Sequence, residues 1–319
     1  MAVVYSLVIP VLNEVDTLPE LFRRLVPVLD ELDGPAEVVL VDDGSTDGSF
    51  LVMEDLNQQD ARFKAIRLSR NFGHQLAITA GLEHSRGEAV VVMDADLQDP
   101  PEVVLDLARQ WRSGFQVVYA VRDEREGESR FKLASANVFY RLLNRMSEVQ
   151  IPVDAGDFRL VDRSVVDAVN GMPEHRRYLR GMFAWVGYDQ TGVHYRRDSR
   201  HAGATKFPLR RMVNFAVDGI LSFSVVPLRL AMGAGFTVAF LSFITALYGI
   251  ASKLLGNVVP GWTSLVVVIG LLSGFQLMVL GVIGEYLARI AEEVKRRPLY
   301  LVRDHVGIER PLPTGRASL

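Results

Sequence analysis

The chain has 319 residues, with 35 Lys and Arg against 38 Asp and Glu, a formal net charge of −3. The length suits one large domain or two at ~100–200 residues each, and the charge balance excludes a globally basic nucleic-acid binder. Cysteine is absent, which rules out disulfides, thiolate metal sites and a cysteine nucleophile.

Residues 1 to about 120 alternate between strand-like and helical patterns. Residues 3–9 are a short apolar, β-branched run and read as a buried strand. Residues 17–32 carry Leu18, Leu21, Phe22, Leu25 and Leu29 at helical spacing. A second strand, 37–41, ends in Asp42-Asp43-Gly44-Ser45. A helix over 51–59, a strand over 63–68, a helix over 75–85 and a strand over 89–93 follow. Pro100-Pro101 opens a helix over 101–113, and 117–121 is a fifth strand. This alternation predicts a doubly wound parallel sheet. Ligands of such sheets sit beyond the carboxyl ends of the strands. The polar residues gather there: Asn13-Glu14, Asp42-Asp43 and Asp94-Ala95-Asp96. The N-terminal Met1-Ala2-Val3-Val4-Tyr5 lacks the basic stretch of a signal peptide.

The second half reads differently. Residues 122–130 are a charged run, either a solvated surface loop or a mobile loop at the active site. Over 207–226, Leu209, Met212, Val213, Ala216, Val217, Ile220 and Leu221 fall at helical spacing. An amphipathic helix lying in a membrane interface is the better reading, with an ordinary core helix as the alternative. Residues 230–251 and 264–284 contain no charged side chain. Each is about 20 residues, the length that spans a ~30 Å hydrocarbon layer. Two buried core helices are the competing reading. Arg210, Arg211 and Arg229 precede the first run, and Arg289, Lys295, Arg296 and Arg297 follow the second, while the turn between them holds only Lys253. The positive-inside rule puts both flanks in the cytoplasm and the turn outside. The expected organisation is a catalytic domain over 1–205, an interfacial helix over 206–228, a two-helix transmembrane hairpin over 229–287 and a cytoplasmic tail over 288–319. The chain would sit in the inner (cytoplasmic) membrane as a multi-pass protein.

Asp94 and Asp96 are two residues apart at a strand end and project in the same sense. With the amide oxygen of Gln98 they form a hard, all-oxygen donor set for Mg²⁺ or Mn²⁺, of the kind shared with substrate phosphates. A surface carboxylate pair is the bland alternative. Asp42 and Asp43 at the sheet edge could accept hydrogen bonds from a ribose or a base, while Ser45 to Asp47 are explained by a turn and a helix cap. A dinucleotide-dependent dehydrogenase is excluded, because Pro10 to Glu14 follow the first strand where Gly-x-Gly-x-x-Gly would be needed.

Five ordered strings resemble the family 2 glycosyltransferases of GT-A fold. They are Ile9-Pro10-Val11-Leu12-Asn13-Glu14, Val41-Asp42-Asp43-Gly44-Ser45-Thr46-Asp47, Arg70-Asn71-Phe72-Gly73-His74, Met93-Asp94-Ala95-Asp96-Leu97-Gln98-Asp99-Pro100-Pro101-Glu102 and Asp154-Ala155-Gly156-Asp157-Phe158-Arg159-Leu160. The last is similar to the signature of polyprenyl-phosphate glycosyltransferases, a group that includes dolichol-phosphate mannose synthases and bactoprenol glucosyltransferases. The resemblance covers the chain to about residue 310. It implies a GT-A Rossmann-like domain and metal-dependent, inverting transfer of one hexose, best read as glucose from UDP-glucose, to polyprenyl (undecaprenyl) phosphate. GDP-mannose as donor, or a non-catalytic membrane scaffold, are the alternatives. The resemblance puts Pro10, Leu12, Glu14, Asp43 and Asp94 in the nucleotide pocket, makes Asp94, Asp96 and Gln98 metal ligands, and assigns catalysis to Asp96 and Asp157. Arg122, Arg130, Lys132, Arg200 and Lys206 are the candidate cations for the lipid phosphate. Arg70 and His74 stay as nucleotide-side or structural residues. The Gln-x-x-Arg-Trp motif of processive synthases is missing, and Arg176-Arg177-Tyr178 does not match it. Partners would be a nucleotide sugar, polyprenyl phosphate and membrane lipids, without nucleic acid; a homo-oligomer is left open.

Overall fold

A computed structural model describes residues 2–122, 155–196, 226–255 and 261–308. Strands β1 (Tyr5–Val11), β2 (Ala36–Asp42), β3 (Phe63–Leu68), β4 (Ala89–Val92) and β5 (Val117–Arg122) alternate with helices α1 (Leu18–Glu31), α2 (Ser49–Gln59), α3 (His74–His84) and α4 (Val103–Arg112). Then come β6 (Ala155–Asp162), α5 (Arg163–Gly171), α6 (Leu179–Trp185) and β7 (Gln190–Tyr195). Two long helices, α7 (Val226–Leu254) and α8 (Trp262–Lys295), precede a last strand, β8 (Val302–Val306).

The eight strands form one sheet in the order β7-β5-β6-β4-β1-β2-β3-β8. It is mixed, not wholly parallel. β1 pairs in parallel with β2 and β4, and β2 with β3. β6 is antiparallel to both β4 and β5, β8 is antiparallel to β3, and β7 is parallel to β5. The alternating βα pattern accounts for the parallel centre. The strands that enter after it, at residues 155 and 302, are free to run either way because no short βα crossover ties them to a neighbour.

Every residue of β1 is buried, as expected of a strand covered on both faces. On one face, Leu18, Leu21 and Leu25 of α1 and Leu107 of α4 pack with Leu7, Ile9, Val38 and Phe158. On the other, Ala77 and Ile78 of α3 and Val165 and Val166 of α5 pack with Val8, Val39, Val90 and Val161. Helix α3 lies so close to β1 that a Cβ on Gly81 would stand 2.2 Å from Val8 Cγ1. After β1 the chain winds outward through β2 and β3, then returns to place β4 on β1's other side. The crevice beyond the carboxyl ends of β1 and β4 is therefore a topological switch point, where open α/β sheets bind ligands.

Helices α7 and α8 lie against each other. Among the described residues, one stretch, Leu271–Lys295, is long and apolar enough to cross a membrane, and none of it is buried in the protein; a shorter apolar stretch occupies Ala231–Thr245. The end of α8 is fastened to the sheet-bearing unit. His175 N donates to Glu293 Oε1 at 2.7 Å, and Arg176 Nε donates to Glu292 Oε2 at 2.8 Å. Beyond α8, Tyr300 is buried and donates its hydroxyl to Glu83 Oε2 at 2.6 Å. Within the segment expected as a C-terminal tail over 288–319, β8 joins the edge of the sheet beside β3. The interfacial helix expected over 207–226 lies almost wholly outside the described residues.

Candidate active site

Three loops converge on the switch point. The first follows β1. Pro10 is buried within the strand, Leu12 is exposed and Glu14 is half-buried. Asn13 takes a left-handed φ of 56°, which asparagine tolerates better than most residues. Its Oδ1 accepts from Thr46 N at 2.9 Å, while Ser45 Oγ accepts from Asn13 N at 2.9 Å. Glu14 N donates to Ser49 Oγ at 3.0 Å. The strings around Asn13-Glu14 and Ser45-Thr46 are therefore a single cross-linked rim.

The second loop follows β2. Asp42 is buried; it accepts from Ser45 N at 2.7 Å and faces Arg67 Nε at 3.4 Å. Asp43 accepts from the backbone N–H groups of Phe72 and Gly73, at 2.7 and 2.9 Å. Its carboxyl is raised, chiefly by burial, with those two bonds working against the shift. Gly44, with φ of 75°, allows this loop to meet residues 70–71 closely: a Cβ there would lie 2.7 Å from Asn71 N. Asp43 and Gly44 together fix the loop that delivers His74 at the start of α3. Arg70 lies over the Phe72 ring at 4.0 Å.

The third loop follows β4 and carries Asp94, Asp96, Gln98 and Asp99. Asp96 Oδ1 accepts from Gln98 N at 3.1 Å, and Leu97 adopts φ of 56°. The Asp94 carboxyl is pushed up to about 6 by desolvation and by the Asp157, Asp96 and Asp99 carboxylates, against the pull of His74. So much negative charge in one loop suits a divalent cation, and all the donors are oxygen. Among the described residues, no three His, Cys, Asp or Glu side chains are already gathered as a metal site.

Asp157, on β6, joins this group across the sheet. Arg180 of α6 grips it with two parallel bonds, Nε to Oδ1 at 2.7 Å and Nη2 to Oδ2 at 3.1 Å. His74 Nε2 stands 3.3 Å from Asp157 Oδ2 and 3.6 Å from Asp94 Oδ1, bridging the two carboxylates. Only 12% of the Asp157 side chain is exposed. Burial alone would raise its carboxyl, but the Arg180 charge and the His74 and Arg180 bonds outweigh burial and hold it well below 3.8. Desolvation works against a charge on His74, although 44% of its side chain faces solvent. The Asp157 bond and the Asp94 charge prevail, so the imidazole titrates above its ordinary value. Two neighbouring carboxyls are thus driven in opposite directions, as in sites where each has a separate task.

Arg122, at the end of β5, donates from Nε to Tyr195 Oη at 3.1 Å, and its Nη2 is 3.7 Å from Asp99 Oδ1. Its guanidinium lies over Gly156, where an added Cβ would be 3.1 Å from Nη2. Arg130, Lys132, Arg200 and Lys206 lie outside the described residues. The motif strings contained His74 but gave it no chemical role, and nothing in the chain pattern singled out Arg180 or Tyr195.

The arrangement defines an α/β enzyme whose carboxylate-rich crevice opens at the sheet's switch point. Residues 6–169 match the family described as Glycosyl transferase family 2. The chain belongs to that family and is a glycosyltransferase. It is 47% identical over 306 residues to the Bacillus subtilis protein called uncharacterized glycosyltransferase YkcC, covering 96% of this chain and 95% of the relative. It is 39% identical over 300 residues to the prophage bactoprenol glucosyl transferase homolog of Escherichia coli, covering 93% of this chain and 98% of the relative. A glucosyl-3-phosphoglycerate synthase structure from Mycobacterium tuberculosis, in complex with Mn²⁺ and UDP, aligns with 68% of this chain and 76% of its own at a TM-score of 0.49 and 19% identity.

Proposed function

We propose that the chain transfers one glucose from UDP-glucose to a polyprenyl phosphate at the cytoplasmic membrane face. The reading is carried by the ionised Asp157, clamped by Arg180 and bridged through His74 to Asp94. Relatives named bactoprenol glucosyl transferase, 39% identical over 299 residues, point to the same donor sugar and lipid class. The apolar runs of α7 and α8 would form the transmembrane hairpin, with the catalytic unit in the cytoplasm.

Rim residues Leu12 and Glu14 would line the nucleotide, with Pro10 shaping the strand beneath and Asp43 holding the loop beside it. Asp94, Asp96 and Gln98 would hold Mg²⁺ or Mn²⁺, which would neutralise the charge developing on the diphosphate leaving group. A lipid phosphate has its second pKa near ~6, so at neutral pH it is largely dianionic and already a nucleophile. Its oxygen would attack the anomeric carbon as the bond to the UDP oxygen breaks, inverting the centre. No proton need be removed. An aspartate locked in its ionised form by two guanidinium bonds is a weak base, so Asp157 would position the sugar and orient Arg180. Arg122 and Arg180 flank Asp157 and would receive the acceptor phosphate.

The test is transfer by the purified full-length chain in detergent, with UDP-glucose, a short-chain polyprenyl phosphate and Mn²⁺. A β-linked glucosyl phosphate lipid is the expected product. An α-linked product by anomeric NMR, or transfer from GDP-mannose in preference to UDP-glucose, would overturn the mechanism or the donor respectively.

A further inference from the structure

A polar triad outside the Asp94–His74–Asp157 cluster ties the carboxylate loop to the acceptor side of the crevice. Asp99 ends the loop that begins with Asp94, and it is only 1% exposed. A carboxylate so enclosed needs partners. Tyr195 supplies one by donating its hydroxyl to Asp99 Oδ1. The same hydroxyl accepts from Arg122 Nε at 3.1 Å, and Arg122 Nη2 stands 3.7 Å from Asp99. Tyr195 and Arg122 are register partners at the ends of β7 and β5, so both lie at the carboxyl end of the sheet. The Tyr195 ring is buried and packs edge-on against Phe158, the residue after Asp157, with ring centroids 5.8 Å apart. Burial and Asp99 both raise the phenol far above its ordinary range, so it stays a neutral donor.

A long arginine is rotamer-rich, and an anion site gains affinity when its guanidinium is already fixed. Tyr195 and Asp99 fix this one by its Nε edge, and Gly156 leaves room for it beside Asp157. We propose that Tyr195 is a positioning residue that holds the Arg122 guanidinium over Gly156 as part of the acceptor-phosphate site, and that Asp99 ties this grip to the donor-side loop. The proposal rests on the acceptor class above, and the experiment separates the two.

Tyr195→Phe removes one oxygen and keeps the packing ring. With the full chain in detergent, KM for polyprenyl phosphate should rise about tenfold while KM for UDP-glucose stays close to wild type, and the melting temperature should fall by only a few degrees, because the buried Asp99 loses one donor but keeps Arg122 nearby. In an Arg122→Ala background, Tyr195→Phe should add no further rise in acceptor KM, because its action passes through Arg122. Direct binding of farnesyl phosphate, measured by calorimetry without any donor, should weaken by the same factor. Equal rises in donor and acceptor KM, additive effects with Arg122→Ala, or unchanged farnesyl phosphate binding would each overturn the proposal. Weakened binding in a chain that transfers no sugar would sustain the positioning role and refute the transfer reading instead.

Discussion

Arg180→Met probes the Asp157 clamp while preserving side-chain bulk. In the native protein the pair is largely enclosed, with side-chain exposures of 23% for Arg180 and 12% for Asp157. Removing one partner of a buried ion pair costs about 3–5 kcal/mol, because the other charge is stranded. Here His74 remains 3.3 Å from Asp157, and both side chains retain some contact with water. The expected loss is therefore about 2–3 kcal/mol, a fall in apparent melting temperature of about 4–12 °C at about 2–4 °C per kcal/mol. Thermal unfolding of the detergent-solubilised chain, followed by intrinsic fluorescence, measures it. The pH dependence has a definite sign. The native Asp157 carboxyl lies well below its ordinary 3.8, so its contribution is fully present above that value and is lost as pH falls through the depressed one. In the variant, burial without Arg180 moves the carboxyl upward. The gap between the two proteins should begin to narrow as His74, freed in the variant from the opposing Arg180 charge, takes up its proton, narrow further as the variant's raised Asp157 carboxyl is protonated, and vanish only below the depressed native value. A gap that is absent at neutral pH, or one that widens on acidification, would refute the clamp.

Asp96→Ala should lower kcat by about 10²–10³-fold without changing the melting temperature, since the residue lies in a loop beyond the sheet; a Mn²⁺ titration checks this, and EDTA-resistant wild-type transfer would contradict it. Gly81→Ala should cost about 1–3 kcal/mol through overpacking, because the new Cβ would fall 2.2 Å from Val8 Cγ1. Adding Val8→Ala should recover much of the lost melting temperature, and failure to recover would mean the strain lies elsewhere. An epitope inserted between Asn257 and Gly261 should be digested by protease added to intact spheroplasts, whereas tags at either terminus should be protected.

The parallel half of the sheet was legible because its cause is local. Each of β1 to β4 is an apolar run of 4–7 residues followed by a helix that packs on the sheet, and that alternation favours parallel neighbours. The antiparallel β6 and β8 were not legible for the complementary reason. β6 does alternate: Phe158 and Leu160 face one core and Val161 the other. Period-two alternation reports which side chains are buried, not which neighbour the strand joins or in which direction. β8 reads Val-Arg-Asp-His-Val, with its three central residues exposed. An edge strand of that composition carries no burial signal, and its charges are what keep an open edge from aggregating. Its anchor, Tyr300, is a single aromatic residue after a basic run. Its burial depends on Glu83, 217 positions earlier in the chain.

The candidate site divides along the same line. Asp43, Asp94, Asp96 and Gln98 stand at or just beyond the ends of runs that read as strands, so their place at the crevice followed from the topology rule alone. Asp157 entered only through the likeness of its surrounding string. The residues that control the charges of these groups were hidden. Arg180 sits 23 positions after Asp157, on a helix of 7 residues that is too short to show a period. Tyr195 is the last residue of an edge strand and owes its role to lying opposite Arg122. His74 was visible in the Phe72-Gly73-His74 string, but its position between two carboxylates exists only once Asp43 has drawn that loop down by two backbone bonds. Polar side chains drawn from one strand end are written in the sequence at short range. The groups that decide whether those side chains are ionised, oriented or paired come from other layers of the fold, and they acquire their chemistry only through packing.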